Sequence, residues 1–284
     1  MAIQFVVDSG SDILPDEAAQ WGVTLLPLKV LFGKEEYRDA VDMTHREFYE
    51  KLVESDTLPT TCQIPPAEFS AAFERIAQAG DSAVCVTLSG KLSGTYQSAM
   101  IAAADFPGQI FVVDSLNVCI GQRILVQRGL ALRDTGLSAE QIAGRLEEEK
   151  RHIRLMALLD TLEYLKKGGR ISAGTALAGS LLSIKPVVAV EDGAVAMAGK
   201  ARGSKQGNNL LRELVRKAGG INFDKPFALA YSGLSDVLLR KYIGDCSELW
   251  QGKADCLPIT TVGCTIGTHV GPGAVAVAFF ENES

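Results

Sequence analysis

The chain has 284 residues, 47% hydrophobic and 22% charged, with a net charge of -6; this is the composition of a globular protein with ample material for a core. The acidic balance disfavours a broad nucleic-acid-binding surface. No apolar run approaches the roughly 20 residues of a membrane span, and Met1 to Asp12 has no basic leader or cleavage site, so a cytoplasmic protein with no integral membrane segment is expected.

In chain order, Ile3 to Val7, Leu25 to Val30, Ala83 to Leu88 and Ile110 to Val113 read as strands whose near-continuous apolarity predicts a parallel sheet covered on both faces. Thr44-His45-Arg46-Glu47 and Ser138-Ala139-Glu140-Gln141 are capping boxes that start helices ending near Ser55 and Arg151. A third helix is expected from Ala67 to Ala79 behind Pro65-Pro66. This alternation predicts a doubly wound α/β unit, whose ligands bind beyond the carboxyl ends of the strands.

After about Arg154 the pattern changes. Leu155 to Leu159, Val187 to Val190, Ala194 to Ala198, Phe227 to Tyr231, Leu257 to Val262 and Ala274 to Phe280 read as strands, with Glu191-Asp192-Gly193 as a hairpin turn. An α+β layer with mainly antiparallel pairing is expected, giving two domains, 1–153 and 154–284, with a cleft between them.

Four loops carry candidate chemistry. Asp8-Ser9-Gly10-Ser11-Asp12 offers two carboxylates, read mainly as turns and a cap before Pro15 and secondarily as metal ligands. Thr60-Thr61-Cys62-Gln63 is stiffened by flanking prolines and is either a rigid connector or a polar wall of a cleft. Cys62 is a candidate accessible thiol. Ser89-Gly90-Lys91-Leu92-Ser93-Gly94-Thr95 joins a strand to a helix that starts near Tyr96. Such a turn suits an anion at a helix N-terminus, although a plain cap by Ser93 uses the same donors. The absence of G-x-x-x-x-G-K-[ST] favours a carboxylate over a triphosphate. Gly263 to Gly273 is read as a glycine-rich loop that holds His269, a candidate carboxylate or hydroxyl partner. His45 and His152 are expected to be solvated.

The six cysteines form no C-x-x-C pair, so no zinc or dithiol centre is expected; Cys85 and Cys119 read as core residues. Two basic clusters, Lys166 to Arg170 and Lys200 to Lys205, are surface or interaction candidates. Small and aliphatic residues from Ala173 to Val190 could border a tunnel for a chain-like ligand.

Asp8 to Asp12, Thr60 to Gln63, Leu92 to Ala99, Leu162 to Ile171, Ile184-Lys185-Pro186 and His269 to Gly273, in this order over nearly the whole chain, together resemble the DegV family of bacterial fatty-acid-binding proteins. The resemblance implies a non-enzymatic, cofactor-free carrier. In it a Rossmann-like parallel-sheet N-terminal domain and a smaller α+β C-terminal domain enclose one long-chain fatty acid. The carrier would present the carboxyl group to a separate fatty acid kinase, which makes acyl phosphate from ATP. Thr61, Ser93 and His269 would hold that group, with Cys62 and Gly94 beside it. Arg170 and Arg202 would support the head group or the kinase encounter. Where the family has Thr-Ser-Gln-Pro this chain has Thr61-Cys62-Gln63-Ile64, a thiol for a hydroxyl and a lost proline. Two other readings compete: a transferase with Ser93 as nucleophile and His269 as base, which lacks G-x-S-x-G, and an adaptor whose basic clusters only dock a partner.

Overall fold

The computed structural model describes residues 2–171 and 184–282. The stretch expected to border a tunnel therefore lies, up to residue 183, outside the described residues. The protein is a mixed α/β fold built on three sheets. Four parallel strands, in the order β2-β1-β6-β7, form the first: β1 (Ile3–Asp8), β2 (Val23–Leu26), β6 (Ser82–Thr87) and β7 (Ile110–Asp114). Every residue of β6 is buried, as its near-continuous apolar run requires for a strand covered on both faces. The run Leu25 to Val30 is not one strand. Pro27 cannot donate to a ladder, and beyond it the chain enters a separate antiparallel sheet, β4-β3-β5. Its strands are β3 (Lys29–Phe32), β4 (Glu35–Arg38) and β5 (Thr60–Cys62).

The helices in this part follow their caps. Thr44 caps α2 (His45–Glu54) and Ser138 caps α6 (Ala139–Glu149), each closing a capping box. Between β1 and α2 lies α1 (Pro15–Trp21), and α3 (Pro66–Gln78) opens on its proline. After β6 comes α4 (Thr95–Ala103), and α5 (Cys119–Arg133) follows β7.

The third sheet has six strands in the order β10-β9-β8-β13-β11-β12, antiparallel except between β11 and β12. Its members are β8 (Ile153–Leu158), β9 (Ile184–Glu191), β10 (Ala194–Arg202), β11 (Phe227–Tyr231), β12 (Ile259–Thr261) and β13 (Val275–Phe280). Asp192 and Gly193 join β9 to β10 with φ of 47° and 81°, the left-handed pair of a tight hairpin turn. On this sheet pack α8 (Gly203–Lys217) and α9 (Val237–Asp245), while a short α7 (Glu163–Lys167) lies between β8 and β9.

The two larger sheets share one core. Helix α5, buried along most of its length, packs against β1 and β6 of the first sheet and against β8, β11 and β13 of the third. The predicted loop Gly263 to Gly273 contains a helix, α10 (Cys264–Val270), which packs against α2, β3 and β5 from the first part of the chain and against α7. Among the described residues no helix is long and apolar enough to cross a membrane.

Candidate functional site

In β5, Thr61 and Cys62 are adjacent and so face opposite sides of the ribbon. Thr61 is half-buried and its Oγ1 lies 3.0 Å from His269 Nε2. Cys62 is exposed and pairs in register with Lys29 of β3. His269 comes from the last turn of α10, whose first turn is tied down by buried carboxylates. Asp39 accepts from Cys264 N (3.1 Å) and Thr265 N (3.0 Å), and Asp12 accepts from Gly263 N (3.0 Å). The first-loop acids are thus structural: Asp8 also accepts from Leu88 N, Gly10 N and Gln122 Nε2. Burial raises Asp8 to about 7 and Asp12 to about 8. Among the described residues no group of three or more His, Cys, Asp or Glu is arranged to hold a metal ion.

Burial, reinforced by the charge of Arg170, lowers the His269 imidazole to about 4. At neutral pH it therefore offers one donor and one acceptor nitrogen. Nε2 meets Thr61, whereas Nδ1 is buried with no partner. A side chain on Gly168 would stand 2.2 Å from Nδ1, so the ring keeps its place only because that position is glycine. Arg170 is half-buried across the same opening, with Nε donating to Leu92 O (3.2 Å) and Nη1 to Gly168 O (2.5 Å). His45, expected in solvent, is instead buried against β12, with Nδ1 2.7 Å from Thr261 Oγ1; His152 is exposed beside Glu281.

The turn after β6 brings Ser93 and Gly94 to this opening. Much of its backbone is already paired: Leu92 N and Ser93 N donate to Ser89 O, Lys91 N to Ser89 Oγ, and Gly90 N to Asp114 Oδ2. Gly94, not Ser93, caps α4, and it makes no side-chain cap bond. Ser93 Oγ is 2.9 Å from Thr95 Oγ1 and accepts from Thr95 N. The Gln63 amide closes over Gly94, where a Cβ would stand 2.0 Å from Oε1, and its Nε2 donates to Ser98 Oγ (3.1 Å).

These residues rim one cavity of about 180 Å³, with Thr61, Cys62, Gln63, Ser93, Arg170 and His269 at the polar end and Leu28, Leu88, Val118 and Ile266 toward the interior. A second cavity of about 60 Å³ is wholly apolar, walled by β8, β9 and β13 through Leu155, Val188 and Ala276. It shares Val118, Leu165, Val195, Ile266 and Val270 with the first. A hydrogen-bonding mouth and an aliphatic cavity thus lie side by side, separated by these shared side chains. A larger groove of about 560 Å³ lies elsewhere, against Lys150, Arg151, Arg154, Glu191 and Asp192. Its charges are mixed in sign, Lys150 and Arg154 are already paired with Glu147 and Glu281, and its accessible lining is mainly polar.

Of the residues singled out from sequence, Thr61, Cys62, Ser93, Gly94, Arg170 and His269 come together at the mouth. Arg202 does not. It is exposed at the end of β10, outside both cavities, with its N–H donating to Gln206 Oε1 (3.1 Å). Thr265 also lines the cavity and was missed. Its spacing of four from His269 marks one helical face, a signal hidden while this stretch read as a loop.

Comparison with known proteins agrees with this architecture. The family model described as "uncharacterised protein, DegV family" matches residues 2–282. A DegV domain-containing protein of Deinococcus radiodurans is 36% identical over 283 residues, 98% of each chain. The structure described as fatty acid binding of a DegV family protein from Thermus thermophilus is 33% identical, with a TM-score of 0.84 over 99% of this chain and 100% of that one. A fatty acid (stearic acid)-binding protein from Eubacterium ventriosum is 26% identical, with a TM-score of 0.86 over 98% and 97%. With a match that runs almost from end to end, the chain belongs to the DegV family.

Proposed function

We propose that the protein binds one long-chain fatty acid and presents its carboxyl group to a separate fatty acid kinase for acyl-phosphate formation. The observation that carries this is a polar mouth set beside a second, apolar cavity with which it shares walls. A carboxyl group fits the mouth. Thr61 and Ser93 supply hydroxyls, His269 a neutral imidazole and Arg170 a positive charge, with Cys62 and Gly94 alongside. A tail fits the interior, where each buried methylene contributes about 0.8 kcal/mol. The relatives from Thermus thermophilus and Eubacterium ventriosum are described as binding fatty acid and stearic acid.

In this reading the ligand sits between residues 1–153 and 154–284, no cofactor is needed, and exposed Arg202 belongs to the kinase encounter. The six free cysteines suit a cytoplasmic carrier. The transferase alternative has less support. Ser93 shares its hydroxyl bond with Thr95 and His269 is engaged by Thr61, and among the described residues no hydrogen bond joins Ser93 to His269. Native mass spectrometry of the purified protein, followed by lipid extraction, is expected to find one fatty acid per chain. Protein that is ligand-free and takes up neither added palmitate nor oleate would overturn the assignment. Adding a kinase and ATP then tests presentation, with Arg202→Ala expected to slow acyl-phosphate formation while lipid retention stays unchanged.

A further inference from the structure

Thr265 is 3% exposed and lines the main cavity, and its Oγ1 is buried without a hydrogen-bond partner. The other threonine of this helix behaves differently, since Thr268 Oγ1 donates to Cys264 O (2.9 Å). Thr265 is held in place by its own N–H, which donates to Asp39 Oδ2. Besides the polar groups of its mouth, the same cavity has Leu28, Leu88, Val118 and Ile266 on its walls. A saturated chain laid against these walls would leave the hydroxyl unpaired, and an unpaired buried hydroxyl is unfavourable. A ligand with its own oxygen at this level would supply the missing partner.

Resting on the fatty-acid reading above, we infer that Thr265 makes the cavity selective for fatty acids that carry a hydroxyl or keto oxygen near the carboxyl end. Helix geometry sets where that oxygen falls. Thr265 and His269 are four residues apart on one face of α10, about 6 Å along its axis, a distance that an extended alkyl chain covers in about five carbon–carbon bonds. With the carboxyl group at His269, the oxygen belongs on roughly the third to the sixth carbon. A hydroxyl there can both donate to and accept from Thr265, and a keto group can accept.

The test is displacement of labelled palmitate from the purified protein by palmitate, 3-hydroxypalmitate and 5-hydroxypalmitate. At least one hydroxy acid is expected to compete about 5- to 10-fold better than palmitate, the range of one net hydrogen bond. Thr265→Val, which keeps the shape and removes the hydroxyl, should tighten palmitate, weaken the hydroxy acid and abolish the preference. Thr265→Ser should restore it. The inference is overturned if neither hydroxy acid outcompetes palmitate in the wild-type protein, or if the preference survives in Thr265→Val. Failure of all three acids to bind, palmitate included, would instead sink the fatty-acid assignment itself.

Discussion

The backbone N–H groups at the start of α10 and the imidazole at its end are treated in opposite ways. At its start, buried carboxylates collect donors: Asp39 takes two backbone N–H groups and the Ser9 hydroxyl, and Asp12 takes a third N–H. At its end, His269 keeps one nitrogen on Thr61 and leaves the other without a partner. Both regions draw on segments rich in Asp, Ser, Thr and Gly, and composition alone does not separate them. Donors and acceptors that the fold has consumed hold the structure together, whereas those left over are available to a guest.

The largest effect should come from breaking the first end. Asp39→Ala strands three donors and is expected to lower the unfolding free energy by about 3 to 5 kcal/mol. Urea denaturation measures it, and a loss under about 1 kcal/mol would show that α10 is anchored by other contacts.

Next is the pH response of the same region. Asp8 and Asp12 have folded values near 7 and 8 against an ordinary 3.8. Folding therefore favours their protonated forms, so this contribution is greatest at acid pH and is lost as pH rises toward 8. His269 runs the other way, since its value falls from 6.5 to about 4 and its contribution is lost as pH drops through that range. The carboxylate trend should thus stand clear between pH 6.5 and 8, at up to about 1.4 kcal/mol per pH unit for each acid. Asp12→Asn should remove the larger share of that slope and leave the part due to Asp8. A slope unchanged by that substitution would remove Asp12 from the account.

Breaking the other end should move binding more than stability. His269→Ala is expected to weaken palmitate retention about 10-fold while shifting the unfolding free energy by no more than about 1.5 kcal/mol. Displacement titration and a thermal melt on the same sample would check both; a large melt shift with intact retention would contradict the contrast between the ends. The smallest effect, about 3-fold, is expected for Gly168→Ala, which pushes the imidazole off Thr61 without removing it. It should vanish in the His269→Ala background, because both changes act through the same ring.

Much of the frame was legible in the sequence wherever local physics decided it. Strands β6 and β13, buried on both faces, appear as near-continuous apolar runs, the two capping boxes mark their helices, and Asp192-Gly193 marks its hairpin. What could not be read depends on distant partners. Strand β4 is mostly exposed and shows no apolar alternation. His45 is buried because Thr261, 216 residues away, lies against it. Helix α10 was hidden by Gly263, Gly267, Gly271 and Gly273, which read as a loop. Yet His269 and Thr61, chosen from sequence pattern and family resemblance, do meet. Thr265 went unnoticed, because an unpaired hydroxyl shows itself only once every neighbour is in place.

The bond between Thr61 and His269 joins residues 208 positions apart. Contacts of such long sequence separation form late, after the intervening chain has been ordered. During synthesis, a ribosome that has made the whole parallel sheet has still not completed the mouth of the cavity, because the imidazole follows the last strand of that sheet, which ends at Asp114, by 155 residues. On the proposed reading, the grip on an acid thus waits for α10 to be made and docked. A chain cut before α10 would keep many of the aliphatic walls but would lack the imidazole that is proposed to orient an acid within them.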